Sequence, residues 1–186
     1  MVTIPNMITL LRLLLVPAVI LALLTGRMGW ALAGFLVAGV SDAVDGFIAR
    51  KFNQRSELGS YLDPMADKLL LVSVFVVLGY MGELPLWLVV AAVSRDALIV
   101  GAVLLSTIMG HPVAMKPLAV SKANTALQIV LAAFVLGELA FGTAFQMLRS
   151  LLAIASGILT VASAAAYLVA WLRHMSGYGK TTKPGG

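Results

Sequence analysis

Cysteine is absent from the 186-residue chain, which excludes disulfides and thiolate metal sites. Charge is scarce as well, with 11% Asp, Glu, Lys and Arg and only eight acids. A soluble domain of this length needs more polar surface than that, because its core grows too slowly with size to hide the rest. The chain is 61% hydrophobic with a mean hydropathy of +1.01. Histidine is limited to His111 and His174, each isolated in a flanking segment, so an imidazole metal centre is not expected. No internal repeat is present. The first hydrophobic run starts almost at once, without a basic region before it or a small-residue cleavage site after it, so no cleavable leader is expected. The net charge of +5 invites a nucleic-acid partner, but the placement of the cations explains it better, and none is expected.

What is present is a series of apolar runs of about 20 residues, the length a helix needs to cross a hydrocarbon core of about 30 Å. Spans are predicted at 7–25, 29–50, 58–80, 85–109, 120–140 and 144–172. Between them stand turn signals: Thr25-Gly26-Arg27, Gly82 to Pro85, Gly110-His111-Pro112 and Gly142-Thr143. The expected fold is an all-α integral membrane protein with six transmembrane helices. Arg50, Lys51 and Arg55 follow the second span, Lys116 and Lys122 the fourth, and Arg173, Lys180 and Lys183 the sixth. The opposite loops hold little beyond Arg27, Glu83 and Glu138. An excess of Lys and Arg marks cytoplasmic loops, so both termini are expected inside. Trp30, Tyr80, Trp87 and Trp171 fall near span ends, where amphipathic rings favour the interface. Residues 1–176 read as one transmembrane domain and 177–186 as a disordered tail.

Five of the eight acids, Asp42, Asp45, Glu57, Asp63 and Asp67, fall within 26 residues. Asp42 and Asp45 are three apart in the second span, and Asp63 and Asp67 four apart in the third, so each pair shares a helix face. A short polar link from Lys51 to Glu57 should return the third helix antiparallel, with the acids facing one another. Glu57, beside Arg55, reads as an ordinary loop residue. Four carboxylates at one membrane depth repel each other and resist dehydration, so they stay ionised only beside cations. An all-oxygen set of this kind suits Mg²⁺ or Mn²⁺. Ala43, Gly46, Ala49, Gly59, Ser60 and Ala66 let backbones approach closely or leave room for a substrate.

From Asp42 to Asp67 the chain reads D-x2-D-G-x2-A-R-x8-G-x3-D-x3-D without a departure. This stretch resembles the signature of the CDP-alcohol phosphatidyltransferases. The resemblance implies that family's six-helix fold, a homodimer, and divalent metals at the donor's diphosphate. It implies Asp42, Asp45, Asp63 and Asp67 as metal ligands, with Asp67 a ligand or the catalytic base for the acceptor hydroxyl. Gly46, Arg50 and Gly59 would contact the CDP moiety. Asn6, Thr9 and Arg12 recur every three residues at the chain start. They read either as an interfacial anchor, with Arg12 snorkelling to headgroups, or as a donor-side group; the resemblance adds Asn6 and Thr9 to the CDP site.

Arg95 and Asp96 lie mid-span in the fourth helix, where charge is costly. Arg95 serves either buried polar groups or an acceptor phosphate, and Lys122 either the positive-inside pattern or the same phosphate. Both are assigned to the acceptor. Ser121, Asn124 and Gln128 share a face of the fifth helix. Asn53 to Ser56, Asp63-Pro64, Ser94 to Asp96 and Ser121 to Gln128 are similar to the eukaryotic-type cardiolipin synthase branch, which also occurs in bacteria; the sixth span and tail add little. The resemblance then implies CDP-diacylglycerol and phosphatidylglycerol as lipid substrates, with cardiolipin and CMP as products; the short chain without a presequence leads to a bacterial cytoplasmic membrane as the expected location. Phosphatidylglycerophosphate synthase, with glycerol 3-phosphate as acceptor, is the nearest alternative. A cation transporter is the alternative of another class, although the acids cluster near one face and no repeated half supplies a second gate.

Overall fold

In the computed structural model the described backbone covers residues 4–52, 57–108 and 119–178, and the described side chains cover 12–41, 68–102, 104–105, 108 and 119–172. Six helices are seen: α1 Ile4–Leu24, α2 Met28–Phe52, α3 Glu57–Tyr80, α4 Leu86–Ile108, α5 Ala119–Phe141 and α6 Gln146–Tyr178. Each lies within a few residues of a predicted span, except that α6 continues past 172. Arg173 and His174 favour water but are compatible with helix, so the helix outlasts its apolar stretch. The tail from Gly179 onward, the link at 53–56 and the segment 109–118 (with His111 and Lys116) lie outside the described residues.

Three of the predicted turns share one construction. Gly26, Gly82 and Gly142 have φ of 73°, 79° and 67°, the left-handed region that a side chain disfavours. Each follows a helix end and lets the chain fold back onto orphan carbonyls. The Arg27 amide donates to Ala22 O at 2.8 Å, the Glu83 amide to Leu78 O at 2.9 Å, and the Thr143 amide to Glu138 O at 3.0 Å. All three turns therefore close the same end of the bundle, the turn end; the signature helices connect at the other, the signature end.

α1 packs on both α2 and α3, α5 reaches α2, α3 and α6, and α4 lies against α3 and α6. Val74, Leu78, Leu88, Leu131, Val135 and Leu136 fill the interior around α5. The outside is apolar too: Leu14, Leu21, Leu98, Ile108, Ile158 and Val161 are more than half exposed. Surface of this kind in a helical bundle suits lipid and not water. Among the described residues, Ala119–Phe141 and Gln146–Leu172 are long and apolar enough to cross a membrane, and Arg12–Leu24, Met28–Ser41 and Lys68–Tyr80 are shorter apolar stretches. Trp30, Tyr80 and Trp87 are exposed together at the turn end, as interface anchors would be.

Candidate active site

The signature falls on two helices that start or end at the same end of the bundle. Asp42, Asp45, Gly46 and Arg50 lie on α2, and Gly59, Asp63 and Asp67 on α3; Asn6 and Thr9 lie on α1. Their side chains are outside the described residues, and the expected facing of the carboxylates rests on the sequence.

The described residues begin where the signature stops. A cavity of about 400 Å³ lies between Phe35 to Val40 on α2, Lys68 to Leu71 on α3, and Thr125 to Ala133 on α5. Its described lining is apolar apart from Lys68, Asp96, Thr125 and Gln128, so it suits a hydrocarbon chain.

Arg12 is 1% exposed, one of the largest fully buried side chains in the bundle. An arginine turned inward at that depth does not reach the headgroups, so the snorkelling reading of Arg12 is corrected.

Arg95 is the hub of the mid-bundle polar layer. Its guanidinium, 3% exposed, donates from Nε and Nη2 to Ser163 Oγ on α6 at 3.1 and 2.7 Å, and from Nη2 to Ser121 on α5. Nη1 pairs with Asp96 Oδ1 at 2.5 Å, and Lys68 Nζ reaches the same oxygen at 3.3 Å. The Tyr167 ring lies 5.8 Å from the guanidinium carbon, within cation–π range. One layer thus ties α3, α4, α5 and α6 together at the depth of the last signature aspartate. A second polar step follows on α5 and α6: Gln128 Nε2 donates to Thr160 Oγ1 at 3.3 Å, and Thr160 donates to Asn124 Oδ1 at 3.0 Å. Lys122 is exposed near the start of α5.

Sequence reasoning passed over three features here. Lys68 directly follows Asp67 and carries an accessible ammonium into the α2–α3 cavity. Ser156, Thr160, Ser163 and Tyr167 form a buried stripe on α6 at steps of four, three and four residues, a helix face legible in the sequence of a span that adds little to the family resemblance. Arg149 pairs with Glu83 Oε2 at 2.6 Å and Glu138 Oε2 at 2.7 Å at the turn end, joining two acids of the sparsely charged loops. Among the described residues no group of three or more His, Cys, Asp or Glu could hold a metal.

Over residues 2–172 the chain matches the CDP-alcohol phosphatidyltransferase family, and it belongs to that family. Membership leaves the transporter reading without support. Among its relatives, the chain is similar to the Homo sapiens cardiolipin synthase (CMP-forming), 35% identical over 89% of the chain and 60% of that protein. It is also similar to the Streptomyces coelicolor cardiolipin synthase (CMP-forming), 39% identical over 59% of the chain and 54% of that protein. The chain thus spans about half the length of the curated relatives it matches, up to 60%.

Proposed function

We propose that the protein transfers a phosphatidyl group from CDP-diacylglycerol to phosphatidylglycerol, giving cardiolipin and CMP. The observation that carries this reading is the unbroken signature along α2 and α3, two helices whose described residues also line an apolar cavity. Similarity to CMP-forming cardiolipin synthases over 89% of the chain supports the choice of acceptor.

In this reading the acceptor's hydroxyl oxygen attacks the phosphorus that bears diacylglycerol. The new P–O bond replaces the P–O bond to CMP, and the hydroxyl proton passes to Asp67. Asp42, Asp45, Asp63 and Asp67 are an all-oxygen donor set that fits Mg²⁺ or Mn²⁺. When bound, the metal supplies positive charge at the donor's diphosphate. Gly46 and Gly59 let the nucleotide approach the backbone, Arg50 pairs with phosphate, and Asn6 and Thr9 hydrogen-bond the CMP side. Arg95 holds the floor of the site rigid and contributes its charge, while Lys122 and Lys68 offer accessible ammonium groups for the acceptor phosphate. The donor's acyl tails take the α2–α3 cavity. Six spans with the signature end cytoplasmic, a bacterial cytoplasmic membrane and a homodimer complete the reading, in keeping with the cation pattern of the loops.

The test is to supply the purified protein with CDP-diacylglycerol, Mg²⁺ or Mn²⁺, and either phosphatidylglycerol or glycerol 3-phosphate, and to identify products by mass. Cardiolipin formed with phosphatidylglycerol is the expected result. Phosphatidylglycerophosphate alone would overturn the acceptor and keep the family chemistry. Asp42→Asn, Asp45→Asn or Asp63→Asn should each abolish CMP release while the protein remains folded. Full turnover in a metal-stripped sample would overturn the metal role.

A further inference from the structure

The cavity among α2, α3 and α5 changes character along its length. From Thr125 to Ala133 it runs about 12 Å down α5. Lys68 and Thr125 lie towards the starts of α3 and α5, at the signature end, and Asp96 joins them from α4. Phe35, Leu36, Leu71 and Ala133 line the deeper part, which is apolar. By register the same helix faces run on into the signature: Asp42 stands four residues after Ala38, and Asp67 four before Leu71. The cavity therefore has a polar end nearer the signature and an apolar end left to the donor's chain.

What the polar end offers follows from which of its hydrogen atoms are already committed. Thr125 donates its hydroxyl hydrogen to Ser121 O at 3.2 Å, one turn back on its own helix, so its oxygen is left as an acceptor. Gln128 donates from Nε2 to Thr160 Oγ1 at 3.3 Å, and Thr160 passes its own hydrogen to Asn124 Oδ1 at 3.0 Å. That chain orders the amide and leaves Gln128 Oε1 without a partner among the described residues. Gln128 is 4% exposed and lines the cavity, so a donor for this oxygen has to come from inside it. Lys68 supplies the cation. It shares the Asp96 carboxylate with Arg95, and two cations on one carboxylate leave an excess of one positive charge. An ammonium and two neutral acceptors around one space are the complement of a phosphate ester whose alcohol carries a free hydroxyl. Choline offers no donor, and ethanolamine would set a further ammonium beside Lys68 and Arg95.

We infer that Gln128, with Thr125 beside it, recognises the hydroxyl of a glycerol phosphate headgroup that is not attacked. The inference rests on the transfer proposed above and adds how the acceptor is chosen. The bridging glycerol of cardiolipin is esterified at both primary positions, so a primary hydroxyl is the nucleophile and the secondary one stays free. Held by Gln128, the secondary hydroxyl is kept out of the reaction while the phosphate lies on Lys68. Thr160, 1% exposed, holds the amide from α6 and is a positioning residue. Phosphatidylglycerol and glycerol 3-phosphate share this chemistry, and the site reads the glycerol in either.

The experiment compares each acceptor with a counterpart lacking the secondary hydroxyl: phosphatidylglycerol against phosphatidyl-1,3-propanediol, and glycerol 3-phosphate against 3-hydroxypropyl phosphate. A site that hydrogen-bonds a substrate hydroxyl rejects the analogue without it, because the buried oxygen is then left unpaired. With whichever acceptor the wild-type protein turns over, kcat/KM should favour the glycerol form about tenfold. Gln128→Met, close in volume, should bring that ratio to within about twofold of unity by losing activity on the glycerol form alone. Thr160→Val should lower the ratio part-way. Damage to the fold or to the donor site would slow both acceptors alike, so the ratio reads recognition alone. A wild-type ratio near one overturns the inference without any variant having to fold, and so does a ratio unchanged in Gln128→Met. Wild-type protein that transfers to no acceptor removes the functional reading itself; transfer without discrimination removes only the role of Gln128. Discrimination seen with phosphatidylglycerol assigns the site a lipid headgroup, and with glycerol 3-phosphate a free phosphate.

Discussion

Two charged triads, one at each level of the bundle, use the same ingredients with opposite sign. At the turn end, Arg149 sits between Glu83 and Glu138, one cation for two carboxylates. At mid-height, Asp96 sits between Arg95 and Lys68, one carboxylate for two cations. The outer triad is closed on itself: Glu138 also accepts from the Phe145 amide, and Arg149 Nη1 approaches Glu83 O at 3.4 Å. It staples the α3–α4 turn, α5 and α6. The inner triad leaves a positive excess, and Lys68, 42% exposed, carries it into the α2–α3 cavity beside the signature. Excess negative charge closes a helix hairpin; excess positive charge stands where anionic lipid phosphates would be bound.

The sharpest way to break this comparison is to remove the central ion of each triad. Arg149→Met leaves Glu138 buried beside Glu83 without a cation, which should cost about 3–5 kcal/mol. That corresponds to roughly 6–20 °C in the thermal unfolding midpoint in detergent, with catalysis by the surviving folded protein unchanged. A shift under a few degrees would show that the outer triad is no staple. Asp96→Asn strands two cations, but Lys68 reaches solvent and the two serines still hold Arg95, so a smaller loss of about 2–3 kcal/mol is expected. Here kcat should fall as well, because the layer beside Asp67 loosens; full activity at reduced stability would make the two triads alike.

Arg95→Lys tests the fork in place of the charge. A lysine cannot reach Ser163 through two nitrogens, so apparent KM for the acceptor should rise several-fold and more than that for the donor. Equal changes would leave Arg95 a purely structural tie. The smallest effect belongs to Glu83→Gln. Glu83 is partly exposed, and its neutralisation leaves Arg149 and Glu138 as a balanced pair, so the loss should be about 1 kcal/mol or less. A loss as large as that of Arg149→Met would mean that Glu83, and not Arg149, centres the cluster.

Much of this was present in the sequence because it is local. Apolar runs of membrane length located the six helices, all but the far end of α6 to within a few residues, and glycines at 26, 82 and 142 located the three turns, since a positive φ is a property of one residue. The carboxylate signature is likewise a matter of fixed spacing along two helices. Only tertiary structure decided which polar residues meet. Arg95 and Ser163 are 68 positions apart, and Glu83 and Arg149 are 66, and no periodicity along one helix reports a partner on another. Whether Arg12 turns to headgroups or to the interior depends on the helices around it. Spacing sets which residues share a helix face; the angle at which two helices cross sets what each face meets.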